Sequence, residues 1–228
     1  MALIDPTTGQ LKLHIVYDGA PKSGKTTTLH ALARRYGLEV ETPEERNGRT
    51  VYFDWMDFVG GRVRDLPIRC RVIAVPGQDE LAARRATILE AADAVIFVVD
   101  TRREHAAKSR EHFEELQTLL RARMRPIPVL AQLNKRDADD TLDVDELKSL
   151  FGPGSVHLIE TVATDGDGVQ QAFALGISEA VRSVRGSNLS RAGGLQELTG
   201  IEVDLGDPRS LLDRLLSQAA PKMGVETT

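Results

Sequence analysis

Apolar positions along this chain fall into short blocks with two alternating rhythms. Leu11 to Tyr17 is a nearly continuous apolar run of strand length, and Thr26 to Tyr36 follows with Leu29, Leu32 and Ala33 at helical spacing. Residues 37–48 are polar and acidic, bounded by glycines, and predict a mobile loop. Thr50 to Phe58 and Ile68 to Val75 read as two strands joined through Gly60-Gly61, a hairpin signal that makes them antiparallel. Ala94 to Val99 predicts a buried strand, and Glu104 to Arg123 a helix with Phe113, Leu116 and Leu120 on one face. Ile127–Leu133, Val144–Leu150, Val156–Ile159 and Val169–Val184 then read as strand, short helix, strand and closing helix. This alternation predicts an α/β fold: a mostly parallel sheet, one antiparallel edge hairpin, and helices on both faces. Ligands of such sheets sit at the carboxyl ends of the strands.

Composition narrows the class. With 228 residues, 41% of them hydrophobic and 28% charged, the chain suits one good core plus an appendage. A net charge of -5 argues against nucleic acid or an anionic membrane as the main partner. The single cysteine, Cys70, allows no internal disulfide and suits a reducing cytoplasm, and we read it as a small core or half-buried residue and not a nucleophile. No signal peptide, membrane-length apolar run or lipid-anchor motif is expected, so any visit to a membrane goes through something else.

Chemistry concentrates at the predicted strand ends. Gly19 to Thr26, GAPKSGKT, fits the phosphate-loop pattern directly after the first strand and before a helix. Glycines at 19 and 24 let the backbone turn tightly, and the helix beginning near Gly24 adds its positive dipole end. Gly19, Lys22, Ser23, Gly24, Lys25, Thr26 and Thr27 are therefore candidate nucleotide ligands. Lys25 reaches the β- and γ-phosphates, and the Thr26 hydroxyl is a ligand for Mg²⁺. The bland alternative, a Gly-rich turn capping a helix, requires no Lys-Thr after Gly24. About 110 residues after Lys25, a later strand ends in Asn134-Lys135-Arg136-Asp137. A carboxylate at Asp137 accepts from the N1–H and 2-amino group of guanine, and adenine would leave it unpaired. The stem of Lys135 covers the base, and Asn134 ties this loop to the phosphate loop. Backbone N–H groups of Val162, Ala163 and Thr164 are candidates for the guanine oxygen. The histidines show no zinc spacing, and His105 and His112 read as members of a solvated helix face.

These residues together carry a resemblance. Residues 10 to 185 resemble the Ras-like small GTPases, and within them the MglA family of bacterial gliding-motility and cell-polarity GTPases. The matching stretches are GAPKSGKT at Gly19, RTVYFDW at Arg49, VPGQ at Val75, NKRD at Asn134 and VATDGDGV at Val162. The resemblance implies a Ras-like P-loop GTPase fold with a six-stranded sheet, GTP and GDP as ligands, Mg²⁺ as cofactor, and GTP hydrolysis. It implies that Thr50 senses Mg²⁺ and the γ-phosphate, that Gly77 lies in the nucleotide site, and that Gln78 orients the attacking water. Arg49 matches the position of an arginine finger supplied in cis, set against a plain loop charge as the alternative. As partners it implies a roadblock-domain activating dimer of MglB type, with polarity or motility effectors, in the cytoplasm.

Two departures from the wider family stand out. Ala74 occupies the position where small GTPases carry the aspartate that supports the Mg²⁺ water shell, a loss shared with MglA. Asp54, in phase with Thr50 and Tyr52, is the candidate substitute, against a solvent-facing strand carboxylate as the alternative. Pro21 stands where the family usually has glycine, because a side chain there crowds the catalytic glutamine and arginine. Proline, compact and fixed in φ, is among the milder replacements, and slow hydrolysis without an activator is the expectation. One function is thus a GTP-hydrolysing switch, and its rival a GTP-binding adaptor with little or no hydrolysis. Residues 186–228 fall outside the predicted G domain of residues 1–185. They read as a flexible linker, a short alternation Ile201–Leu205, and a short helix bearing Leu211, Leu212, Leu215 and Leu216, for a partner or for the protein's own surface.

Overall fold

The computed structural model describes residues 3–5, 7–42, 53–63, 66–75, 82–121, 123, 126–152, 156–188 and 203–204. In chain order the elements are β1 (Leu3–Ile4), β2 (Leu11–Asp18), α1 (Lys25–Tyr36), β3 (Asp54–Val63), β4 (Leu66–Ala74), α2 (Ala82–Ala91) and β5 (Ala94–Asp100). They continue with α3 (Ala106–Arg121), β6 (Val129–Asn134), α4 (Val144–Leu150), β7 (His157–Glu160), α5 (Val169–Asn188) and β8 (Val203–Asp204). The sheet order is β7-β6-β5-β2-β4-β3-β8, with β1 pairing the start of β2. Six main strands are thus flanked by two strands of two residues each. All neighbours from β4 through β7 run parallel, and β3 is antiparallel to β4, as the alternation predicts.

Every residue of β5 is buried, which is why its sequence is uniformly apolar up to Asp100. One core lies between the sheet and α1 and α5, where Phe58 meets Tyr36 and Phe173 edge to face at 5.0 and 5.3 Å. The other lies on the opposite face, where Phe113 of α3 packs between Phe97 and Phe151 at 5.2 and 4.8 Å. Cys70 is buried in the first core, and burial pushes its thiol well above the ordinary range, so it is inert packing.

Two expectations need correction, and one helix was not foreseen. The hairpin does not turn at Gly60-Gly61. Val59 pairs Arg69 and Arg62 pairs Pro67, so the two glycines sit in a β-bulge with one extra residue on β3. The strands run on past the glycines until Val63 pairs Leu66. Helix α2 has no counterpart in the sequence reading. Its buried positions are Arg85 and Leu89, and an arginine in the apolar stripe hides the helical period. His112 is 1% exposed and not part of a solvated face.

Candidate nucleotide site

The first parallel strand delivers Gly19, and the chain then folds over the head of α1. Lys22 and Gly24 both take positive φ, 62° and 107°, which curls successive amides inward. The first amides of a helix have no intrahelical acceptor, and α1 has no side-chain cap to take them, so its N–H groups before Thr28 are left for a ligand. The Ser23 hydroxyl is buried and has no hydrogen-bond partner among the described residues. These are the features of a cradle built for an anion.

Both glycines are dictated by neighbours. A Cβ at Gly19 would collide with the Val98 carbonyl, and one at Gly24 with the Asn134 side-chain amide. The Lys25 ammonium donates to the carbonyls of Gly19 and Ala20, at 2.8 Å each, which holds it along the loop. Burial lowers its pKa to about 8 against the opposing pull of Asp18. A polyphosphate would restore the charge that burial disfavours.

Asn134, 2% exposed, is the keystone of the base side. Its Nδ2 donates to the Ser23 carbonyl at 2.8 Å, while its Oδ1 accepts from the Ala163 amide at 3.0 Å and the Thr161 hydroxyl at 3.3 Å. The ends of β6 and β7 and the phosphate loop are therefore one hydrogen-bonded unit. Lys135, at φ 65°, donates to the Lys22 carbonyl at 2.8 Å and to Asp100 Oδ2 at 2.7 Å. Burial pushes the Asp100 carboxyl up, but the Arg102 fork and the Lys135 ammonium outweigh it and hold the pKa at about 2. Sequence reasoning missed Asp100 as the anchor of Lys135. Asp137 is exposed at the mouth of this loop. Of the three amides expected to meet guanine, Val162 donates to the Asp167 carbonyl and Ala163 to Asn134, so both already shape the loop. The Thr164 amide is the one of the three not engaged among the described residues.

On the other side of α1, the Thr26 hydroxyl donates to Asp54 Oδ2 at 2.7 Å. Asp54 is the first residue of β3 and pairs directly across from Ala74 in the ladder. Directly opposed residues share a face. Asp54 and Ala74 therefore stand side by side on one face, and the Asp54 carboxylate meets the Thr26 hydroxyl. Thr27 is exposed on α1, whereas Thr28 is buried and accepts from Gln132 Nε2 at 2.8 Å, tying α1 to β6. Arg49, Thr50, Gly77 and Gln78 lie outside the described residues.

A phosphate cradle at the carboxyl end of the first strand, braced by an Asn-Lys-x-Asp loop two strands away, defines a guanine-nucleotide-binding α/β protein. The model of the ADP-ribosylation factor family matches residues 3–179, and the chain belongs to that family. It is similar to the mutual gliding-motility protein MglA of Myxococcus xanthus, 29% identical over 74% of this chain and 90% of that protein. ADP-ribosylation factor-like protein 3 of Saccharomyces cerevisiae is 25% identical over 68% of this chain and 79% of its own. The fold is shared with the Arl6 BBS3 small GTPase of Trypanosoma brucei, solved with bound GppNp, at a TM-score of 0.57 and 23% identity, covering 75% of this chain and 99% of that one. The protein is a Ras-like small GTPase, a GTP-binding switch that hydrolyses GTP to GDP and phosphate. Among the described residues no helix is long and apolar enough to cross a membrane.

Proposed function

We propose that this GTPase is a switch of MglA type, controlling partner recruitment in cell polarity or motility, with Mg²⁺ as cofactor. The observation that carries this reading is the Thr26–Asp54 contact across from Ala74, which supplies from β3 the carboxylate that the D-x-x-G position lacks. Hard oxygens beside a phosphate cradle fit Mg²⁺, which takes a few protein oxygens and keeps waters and phosphates as its other ligands. Thr26 would hold the ion, with Thr50 joining it, and Asp54 accepts the Thr26 proton so that the hydroxyl lone pair faces outward. Bound Mg²⁺ neutralises charge on the β- and γ-phosphates.

The protein's own groups do the rest. The loop amides, the Ser23 hydroxyl and Lys25 bind the phosphates, while Lys135 and Asp137 hold the base. Gln78 orients the water that attacks the γ-phosphorus as the bond to the bridging oxygen breaks, and Arg49 meets the charge that develops there. Gly77 belongs to the nucleotide site in this reading. Hydrolysis is slow alone, because Pro21 stands in the phosphate loop where the family usually carries glycine. A roadblock-domain dimer of MglB type is the activating partner, in the cytoplasm, with effectors that read the GTP state.

The test is single-turnover GTP hydrolysis with and without a purified roadblock-domain dimer. Acceleration of about tenfold or more supports the MglA-type reading. An unchanged rate, with no binding of the dimer to the GTP-loaded protein, contradicts it.

A further inference from the structure

Helix α2 is anchored by an arginine buried almost as deeply as the core. The side chain of Arg85 is 6% exposed, and that of Asp18 is 0% exposed. Arg85 Nε donates to Asp18 Oδ1 at 3.0 Å and Nη2 to Oδ2 at 2.9 Å, a two-pronged pair. Nη1 donates to Glu115 Oε2 at 2.7 Å and Nη2 also to the His112 carbonyl at 3.2 Å, both on α3. Asp18 is the last residue of β2, directly before Gly19 of the phosphate loop. Three elements thus meet on one guanidinium: the root of the nucleotide cradle, α2 and α3.

Energetics argue that this pair is there for position. A buried ion pair is a weak stabiliser, and apolar residues of similar volume often do as well or better. Its two-pronged geometry, however, fixes where one element sits against another. What it fixes here is α2, which begins four residues after Gln78. The pair is also neutral as a unit beside a site that takes a polyanion. Asp18 and Arg85 act on the Lys25 ammonium with opposite sign.

We propose that Asp18 and Arg85 are positioning residues that latch α2, the helix that follows Gln78 in the chain, to the root of the phosphate loop, and that hydrolysis depends on this latch. The inference rests on the assignment of Gln78 to the attacking water. Because an uncompensated charge would lie under the cradle in either single variant, the latch is best broken on both sides at once. Asp18→Leu with Arg85→Met removes both charges and keeps the volume.

The experiment compares the wild-type chain, Arg85→Lys, Arg85→Met and the double variant in three measurements: affinity for a fluorescent GTP analogue, single-turnover hydrolysis, and amide-hydrogen exchange of α2. The latch predicts that the double variant keeps its melting temperature within a few degrees and its GTP affinity within about threefold, yet hydrolyses about tenfold or more slowly. Amides of residues 82–91 lose about tenfold or more of their protection while those of α5 do not. Arg85→Met alone loses nucleotide affinity, and Arg85→Lys, which keeps the charge but not the fork, falls between wild type and the double variant in rate. A double variant with wild-type hydrolysis and wild-type α2 protection overturns the latch. A double variant that loses rate although Gln78→Leu loses none overturns instead the role given to Gln78, and α2 protection then decides the latch alone.

Discussion

The two flanks of α1 are built differently. On the base side, Asn134 alone makes three hydrogen bonds, to Ser23, Thr161 and Ala163, and Lys135 adds two more to Lys22 and Asp100. These groups are backbone carbonyls, amides and buried side chains at strand ends, so the flank has one arrangement. On the other side, the contact of β3 with the end of the phosphate loop among the described residues is one exposed hydrogen bond, Thr26 to Asp54. Helix α2 is held from behind by Arg85. A switch needs this asymmetry: one flank keeps the nucleotide while the other changes with its γ-phosphate.

Breaking the stiff flank has the largest expected effect. Asn134→Ala would orphan the Ser23 carbonyl and the Ala163 amide and leave the Thr161 hydroxyl only its longer bond to the Leu133 carbonyl, a cost of about 2–4 kcal/mol. Guanine-nucleotide affinity should fall about 100-fold, and thermal stability should fall with it. Calorimetry and a melting curve check both, and a loss of affinity without a loss of stability would mean that the flanks are not braced as described.

Lys25 gives the next effect, through pH. Burial lowers its free-state pKa to about 8, and bound phosphates raise it. The bound state therefore holds more protons than the free state as pH rises through 8. Affinity is full below that pH and declines above it, by roughly 30-fold at most between pH 8 and 9.5. Titrations at fixed ionic strength across pH 7 to 9.5 read the slope, and a flat profile contradicts the buried ammonium.

The loose flank yields the smallest change. Asp54→Ala should weaken the Mg²⁺-dependent part of GTP affinity about tenfold and leave affinity measured in excess chelator unaltered. Equal loss in both conditions would place Asp54 in the general architecture and remove it from the metal site.

The sequence disclosed these flanks unequally. The base side was legible because its residues form two contiguous motifs, each at a strand end, and contiguity survives without knowledge of the fold. Asp54 was legible only as one of two readings, since its meaning depends on pairing with Ala74, a relation twenty residues long. Gly60-Gly61 misled because a bulge and a turn use the same residue for the same backbone freedom. Helix α2 and the Asp18–Arg85 pair escaped together. A buried arginine breaks the apolar stripe that marks a helix, and its partner lies 67 residues away. Two-residue β8, which pairs Arg62 and Val63, corresponds to the Ile201–Leu205 alternation, though nothing in that pattern named its partner strand.

The measurement that bears most directly on the division between holding and switching is single-turnover GTP hydrolysis by wild type and Gln78→Leu, with GTP affinity taken on the same samples. Equal affinities, with turnover in wild type that falls about 100-fold or more in the variant, are the predicted result. Equal turnover in both proteins, or an affinity that collapses together with the rate, would contradict it.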